Sequence, residues 1–595
     1  MLVKLPSPKT IPQQYLVAEE LEQYLGNPLD PDHEFSFQKI VEFDEQEAYP
    51  HQAHQLLDEW NLNHYHIPVA YGGKLKSYEE FFALLRTVAR RDLTTAISYG
   101  NTFLGAVPIW VGGTEQQKNQ VAKIIKNRGK VSLAFHEKAH GSDFLATDVQ
   151  AIKTEDGYRL DGEKWLFGNA TVGSAVTVFA KTDVNGGPRG FSLFLLEKQA
   201  LDRSSYSYLS KCKTLGIRGA DCSGIRFHNC LIPSESLISP QGSALELSLK
   251  AFQLTRTVIP ALALGSADTA LRTTISFALS RKLYGDSIFA IPHTQKLLVD
   301  AFLDILICEC VAIATSRAVH AATAQMRLWS AVVKYFVPTT IEKVIHNLSI
   351  VMGARYYLRE GHHGGIFQKI VRDSAVVSMF HAGTYLNLST IGAALQFQPT
   401  VDIDAQRYAE IESSLESIFA LDQELPAFEP ERLELFSRKR NDILQGMVVA
   451  INQLQSLQMK SEVNLEVITT LLSQANTILS EISTQQTVFK DMKRRYGRDL
   501  EKSPELFELA EKHCAVHTAA ACLYMWLYNR KQLGEFFAQG EWLVLCLHKL
   551  MGLLHHSQQP LPTSYRENVA TELQKLYEQN QLFSIVPLKL APSKA

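Results

Sequence analysis

Apolar residues recur at helical spacing over residues 14–127, in runs such as YLVAEELEQYL and EEFFALLRTVARR, with breaks at Pro68 and at Gly72-Gly73. From Lys130 to about Pro233 the period shortens to strand alternation. The runs VSLAF, GYRLDG, AVTVFAK, GFSLFLL and SGIRFHNCLI are separated by Gly, Asp and Asn turns, which predicts a β domain. Long helical patterns return between about Gly242 and Gln398, as in ALALGSADTALRTTISFALSRK and QKLLVDAFLDILICECVAIATSRAV. Helix, sheet, helix order predicts two helical parts packed together around an inserted β module. The expected fold is α+β, with an N-terminal helical domain over 1–129, a middle β domain over 130–238, a helical bundle over 239–399 and an additional all-helical domain over 400–595.

The last of these is punctuated by Pro426, Pro430, Pro504, Pro560 and Pro562 and carries no catalytic motif. Its stripes, as in MVVAINQLQSLQ and NLEVITTLLSQANTILSEI, mark helices with one buried face. That reads as a packing or dimerisation appendage; docking of a partner or of a membrane surface is the alternative. Ser374 to Val401 carries no formal charge, which raises the membrane question. His381, Thr384, Asn387, Ser389, Thr390, Gln396 and Gln398 interrupt it, so it is expected to be a buried helix with a polar functional edge. No transmembrane helix is assigned.

Charge narrows the function. Among 595 residues, 59 Lys and Arg oppose 62 Asp and Glu, and this near-neutral balance lacks the basic footprint of an obligate nucleic-acid binder. The 46% hydrophobic content excludes disorder as the dominant state. The eight cysteines include no CxxC pair and read as small buried hydrophobes in a reducing compartment. The N-terminal MLVKLPSPKTIPQQ has no apolar segment of signal-peptide length, so a cytoplasmic location is expected.

Signature searches remove most enzyme classes. No GxGxxG opens a βαβ unit, and GxxxxGK[ST] and GxSxG are absent, which eliminates Rossmann dehydrogenases, P-loop NTPases and α/β-hydrolases. What remains is an ordered set of segments. Trp60 to Gly73 contains Ile67-Pro68 and Tyr71-Gly72-Gly73; Arg90-Arg91-Asp92 and Gly112 to Lys118 follow. Then come LAFHEKAHGSD (Leu133 to Asp143), GEKWLFGNA (Gly162 to Ala170), LGIRGADCSGIRFHNCLIP (Leu215 to Pro233), RKLYG (Arg281 to Gly285), VMGARYYLRE (Val351 to Glu360) and IVRDSAVVSMFHAGT (Ile370 to Thr384). In this order the set resembles the acyl-CoA dehydrogenase superfamily over roughly residues 50–398.

The resemblance implies a flavoprotein that holds FAD and converts an acyl-CoA or an acyl carrier protein (acyl-ACP) thioester to its 2-enoyl form, passing electrons to an external acceptor. A flavin needs N–H and hydroxyl donors around N1, O2 and N5 and an apolar or aromatic wall. By resemblance the cofactor-binding set is Phe135, His136, Ser142, Trp165, Gly168, Arg281, Tyr284, Gly353 and Thr384. Trp165 would be the wall, and Arg281 would reach the FAD pyrophosphate of a neighbouring subunit. Gly141 permits the close backbone approach that lets Ser142 meet the pyrophosphate or the thioester arm.

The sequence departs from the family where hydroxyls and the base are expected. His136 and Gly168 replace the two flavin-contacting hydroxyl residues, and Leu166 replaces an aromatic. The carboxylate that removes the α-proton is matched by His381, and the alternative carboxylate position by Thr255, beside Arg256. The candidate catalytic pair is therefore His381 as base and Arg256 orienting its segment. A neutral imidazole, of pKa about 6.5 when unperturbed, can accept the α-proton while the N–H of residue 381 polarises the thioester carbonyl. Two other readings remain open: a non-catalytic thioester- or flavin-binding scaffold, and oxygen-activating flavin chemistry. His362-His363 lacks a third ligand at useful spacing, so no metal site is assigned. The apolar stripes beyond Pro399 must bury against something, and the surface that would otherwise join a second dimer is the simplest partner; a homodimer is expected.

Overall fold

The strand alternation sorts residues between two cores. In β4 (Ala175–Lys181) and β5 (Phe191–Glu197), Ala175, Phe179, Phe191, Leu193 and Leu195 join the large helical core, while Val176, Val178, Ala180, Phe194 and Leu196 fill the interior of the β domain. Both strands are thus buried on both faces. The other strands are β1 (Val131–Ala134), β2 (Gln150–Lys153), β3 (Gly157–Gly168), β6 (Tyr206–Leu209), β7 (Cys222–Pro233) and β8 (Leu237–Ile238). The sheet runs β6-β7-β3-β2-β4-β5-β8, with β1 parallel to β4. The antiparallel β3–β7 ladder slips between Leu160 and Gly162 and again between Trp165 and Phe167. The second slip bends the strand at Leu166, whose φ is 56°.

This computed structural model describes residues 12–399, 401–437, 439–554 and 560–592. Most of the N-terminal MLVKLPSPKTIPQQ lies outside the described residues. Six helices precede the sheet: α1 (Gln13–Leu25), α2 (Phe37–Glu45), α3 (His51–Glu59), α4 (Tyr78–Arg91), α5 (Leu93–Gly112) and α6 (Glu115–Lys126). Asp92 both ends α4 and caps α5, accepting from Thr95 N at 2.8 Å. After the sheet come α7 (Ala244–Val258) and α8 (Pro260–Ser280), then a short hairpin of β9 (Lys282–Leu283) and β10 (Asp286–Ser287). The bundle continues with α9 (Pro292–Ala321), α10 (Met326–Met352), α11 (Ile366–Ser374) and α12 (Thr384–Leu395). Gly265 lets α8 lie against α4, since a Cβ there would fall 2.6 Å from the Arg86 carbonyl oxygen. The acyl-CoA dehydrogenase-like order of helical, β and helical parts is present, with added C-terminal helices.

The uncharged run Ser374 to Val401 is not one helix. α11 stops at Ser374, α12 starts at Thr384, and between them His381 and Ala382 take φ values of 58° and 72°. Left-handed backbone at two successive non-glycine residues is incompatible with a continuous helix. Among the described residues no helix is long and apolar enough to cross a membrane, and all eight cysteines are unpaired.

The C-terminal region contributes α13 (Ala405–Phe419), α14 (Asp442–Gln445), α15 (Met447–Lys460), α16 (Leu465–Tyr496), α17 (Pro504–Asn529), α18 (Glu535–Gln539), α19 (Glu541–Gly552) and α20 (Thr563–Glu578). Its apolar stripes, including Val449, Ile468, Trp526 and Trp542, merge into the same core as α9 and α10. Arg317 on α9 fastens this union. Fully buried, its guanidinium donates to the carbonyls of Ile418 (2.6 Å), Ala420 (2.7 Å) and Gln423 (3.1 Å) at the end of α13, and pairs with Glu79 of α4 at 2.6 Å. Tyr15 OH donates to the other oxygen of Glu79 at 2.6 Å. Arg317→Met leaves a buried carboxylate and several carbonyls without a donor, so urea denaturation is expected to show a loss of about 3–5 kcal/mol. A loss below about 1 kcal/mol, the range of a surface pair, would mean that Arg317 does not fasten the two parts.

Candidate functional site

The segment carrying His381 is set by what holds α11. Lys369 sits fully buried between Asp92 (2.6 Å) and Asp373, and Asp373 accepts from Ile217 N at 2.6 Å and from Thr94 Oγ1 at 3.2 Å. One turn on, Lys334 of α10 donates to the carbonyls of Val377 (2.8 Å) and Ser378 (3.4 Å), in the turns that follow α11. Asn387 Nδ2 donates to Ala382 O at 2.7 Å and Gly383 O at 3.2 Å. The left-handed turn at residues 381 and 382 is therefore clamped from both sides.

The turn puts the His381 ring edge-on to Phe252 of α7, 5.1 Å between centroids. Its Nε2 is buried and has no hydrogen-bond partner. Phe252 joins Phe135 (5.2 Å) and Phe144 (6.1 Å) in an aromatic layer that continues to Phe179. Phe135, expected at the cofactor, is only 3% exposed and belongs to this layer. His136 follows it, half-buried, and its carbonyl accepts from Trp165 N at 2.9 Å. Trp165 is half-buried, whereas Leu166, after the strand slip, is exposed.

Gly168 has no room for the hydroxyl side chain that the resemblance led us to expect there. A Cβ there would overlap the side-chain amide of Asn101 on α5. Ser142 and Gly141 lie on an exposed loop, Gly141 with a φ of 54° and open space around it. Thr384 begins α12, half-buried.

Phe135, His136, Trp165, Arg256 and His381 thus share one neighbourhood. Arg281, Tyr284 and Gly353 stand apart from it on exposed surface: Arg281 opens the hairpin after α8, Tyr284 is 99% exposed, and Gly353 follows α10. Sequence reasoning missed Lys334, Phe252 and Asn101, and placed Asn387 only on the polar edge of one helix. Lys334 had a signal, a single charge within the otherwise apolar SAVVKYFVP. Asn101 had none, because its position against Gly168 depends on how α5 crosses β3.

Burial and neighbouring charge act together here. His381 is held well below the usual imidazole range by burial, then by His136, Lys334 and Arg256. Burial and Lys164 lower His136, and burial and Arg256 bring Lys334 down to about 7. Burial, with Arg327, holds Arg256 down to about 10. His381 is therefore neutral at pH 7, with a lone pair available and a disfavoured imidazolium.

Among the described residues Glu137, His140 and Asp148 approach one another closely enough to hold a metal ion. The Glu137 carboxylate, however, already accepts from Lys164 (2.7 Å), Asp148 N (2.7 Å) and Val149 N (3.1 Å), which makes it a loop fastener. His362 and His363 stack at 4.0 Å, and His363 Nε2 lies 3.2 Å from Ser276 Oγ, in a kinked turn.

Comparison with known proteins follows the same outline. Family models of the acyl-CoA dehydrogenase N-terminal, middle and C-terminal domains match residues 33–126, 132–230 and 244–394. A probable acyl-CoA dehydrogenase of Mycobacterium tuberculosis is 30% identical over 266 residues, covering 44% of this chain and 68% of that one. The solved acyl-CoA dehydrogenase of Bacillus anthracis complexed with FAD superposes with a TM-score of 0.66 at 16% identity, covering 97% of this chain and 96% of that one. Butyryl-CoA dehydrogenase of Megasphaera elsdenii gives 0.59 at 20% identity over 65% of this chain and 99% of its own. The longer Bacillus structure also spans the added C-terminal helices.

A lowered folded-state pKa makes His381 a source of stability that is present above the unfolded value of about 6.5 and lost as pH falls through the folded one. In NMR titrations, with His381→Gln for assignment, the His381 ring signals are expected to show no midpoint near pH 6.5. A midpoint at or above 6.5 would contradict the cationic, buried setting.

Proposed function

The chain belongs to the acyl-CoA dehydrogenase family, and from that premise we propose that it is an FAD-dependent α,β-dehydrogenase of acyl thioesters with a histidine at the base position. The observation that carries this reading is His381 Nε2, neutral, buried and unpartnered at the position where the family resemblance places the base. FAD is the cofactor, and when bound it supplies an acceptor for the β-hydride. The residues fit it. Within the described chain the N–H groups of His136 and Ser142 have no hydrogen-bond acceptor, Gly141 leaves open space, and Trp165 and Leu166 offer an apolar wall. The lost hydroxyl at Gly168 has the Asn101 amide in its place as a donor.

In this reading His381 takes the α-proton at Nε2. Arg256 and the protonated form of Lys334 stabilise the negative charge that then develops on the thioester enolate, at the cost of disfavouring the imidazolium of His381. The α-proton stays on His381, and with FAD bound as the β-hydride acceptor the product would be the 2-enoyl thioester, with an external acceptor taking the electrons. The carrier is CoA or an acyl carrier protein, and the eight unpaired cysteines support a cytoplasmic setting. One observation favours the second reading, a thioester-binding protein without catalysis: no carboxylate acts on His381.

Anaerobic mixing of the FAD-loaded protein with acyl-CoA and acyl-ACP thioesters separates the two. Bleaching of the flavin band is expected, to be abolished in His381→Ala with FAD retained and preserved or raised in His381→Glu. Binding of thioester without bleaching would instead establish the binding protein.

The assembly proposed is a homodimer. The hairpin with Tyr284 and Leu283 is exposed, as are Ile350, Tyr357 and Leu358 after the middle of α10, whereas the C-terminal helices already cover α9, α10 and α12. Light scattering is expected to give twice the chain mass, and Arg281→Ala to lower FAD occupancy by removing a charge-assisted contact of about 1.5–3 kcal/mol. A tetramer, or unchanged occupancy in the variant, would refute the corresponding half of this statement.

A further inference from the structure

The bundle and the added C-terminal region enclose a cavity of about 230 Å³ between the first turn of α10, the last turn of α12 and the stretch that leads into α14. Pockets for drug-sized ligands run to about 300–1,000 Å³, so the occupant of this one is small. Its wall is apolar. Leu328 of α10, Ala393 and Ala394 of α12, and Leu435 line it, and Phe397 and Phe436 complete it with rings that are 48% and 64% exposed.

The polar groups set in this wall are donors. Arg327, Lys439 and Arg440 line the cavity, and among the described residues no carboxylate does. Arg440 comes only within 3.8 Å of Glu410, and Arg327 spends Nη1 on the Leu435 carbonyl (3.2 Å) with its guanidinium 5.8 Å from the Phe436 ring. Two amides of the lining are turned the same way. Gln325, 4% exposed, accepts from Asp442 N at 2.8 Å through Oε1, and Gln398 accepts from Asn441 Nδ2 at 2.8 Å through its own Oε1. The residues that open α14 thus occupy both amide oxygens, and neither Nε2 has an acceptor among the described residues.

A single buried cation that meets carbonyls is ordinary in this chain, as Lys198 and Lys334 show. Cations and amide donors collected on one apolar wall are a different matter, because together they match an anion that carries an apolar chain. A small inorganic anion would leave the wall unused. A neutral chain would leave the donors without acceptors.

We propose that this cavity binds an unesterified medium-chain fatty acid, with its carboxylate on Arg327 and the Gln325 amide and its chain against Leu328, Ala394 and Phe397. The inference does not depend on the thioester reading. Leu435 and Phe436 lie beyond residues 244–394, which match the family's C-terminal domain, so the site exists only where the added region meets the bundle. A ligand seated there bridges the two parts and stabilises their union.

Calorimetric titration of the FAD-loaded full chain is expected to show octanoate binding at least about tenfold tighter than 1-octanol, which lacks the charge, and than acetate, which lacks the chain. Equal affinities, or no binding of octanoate, overturn the proposal. A fatty acid can also enter a site made for acyl chains, so the place of binding decides. A medium-chain fatty acid with a diazirine near its methyl end, photolysed on the unmodified protein, should label peptides that contain residues 325–328, 393–399 or 435–437. Labelling confined to peptides with Phe135, Phe144 or Phe252 would assign the acid to the thioester site and overturn the proposal. Ala394→Phe, which fills the cavity, should weaken octanoate at least about tenfold while thioester-driven bleaching of the flavin is retained. Unchanged octanoate affinity in that variant also overturns it.

Discussion

Lys369, buried between Asp92 and Asp373, is the contact on which the geometry of the site depends. Asp92 closes α4 and caps α5; Asp373 reaches Ile217 in the loop before β7; Lys369 itself belongs to α11. Burial works against the ammonium, but the two carboxylates outweigh it and raise its pKa, so the charge is kept. Three parts of the chain, helical, β and helical, therefore meet at one ionic knot. The residues after Asp373 cannot drift, and they carry the turn at His381. A neutral replacement for Lys369 would leave two buried carboxylates facing each other, a penalty much larger than the worth of any exposed pair.

The contrast between this knot and Arg256 gives the site its character. Elsewhere several buried cations meet carboxylates, as where Glu309 accepts from Arg86 and also from Ser584 Oγ and Ile585 N near the chain's end. Around His381 the fold gathers the basic groups His136, Lys334 and Arg256, with no carboxylate among the groups acting on the ring. Lys334 is tolerated because two carbonyls receive its protons, and its pKa near 7 reflects how little further stabilisation it finds. An electrostatic field of one sign, in a place shielded from solvent, acts on whatever charge develops there and does so without reorganising.

The period of apolar residues was enough to order the helical and β parts, because alternate residues of AVTVFAK and GFSLFLL really do enter different cores. The ordered motifs were legible for the same reason that they are local: Phe135-His136, Trp165 and His381 each sit in a short contiguous segment. Contacts between segments were not legible. Nothing in GNTFLG marks Asn101 as the residue that fills the space beside Gly168, and nothing in the uncharged run from Ser374 announces a break at two non-glycine residues. That break is imposed from outside, by Lys334 and Asn387, and an amphipathic pattern carries no information about clamps supplied by other helices.

The added C-terminal helices bear on the site through the same elements. α17 stacks Phe507 on Tyr385 of α12 (5.1 Å), accepts a hydrogen bond at Glu511 from Tyr335 of α10 (2.8 Å), and sets His517 edge-on to Trp329 of α10 (5.2 Å). Leu506 fills the space against Gly392, where even a Cβ would fall 2.9 Å from it. α10 and α12 are the helices that supply Lys334 and Asn387, the two clamps of the left-handed turn. Tyr335 is the neighbour of Lys334 in sequence, and Tyr385 lies two residues from Asn387, so the same short stretches face the turn on one side and α17 on the other. A shift of α17 would be transmitted to both clamps, since close-packed interiors pass displacement on and do not absorb it. The extra domain is thus part of what holds His381 in place, which explains why its apolar stripes are buried against the bundle and why Arg317 fastens it with a fully buried guanidinium.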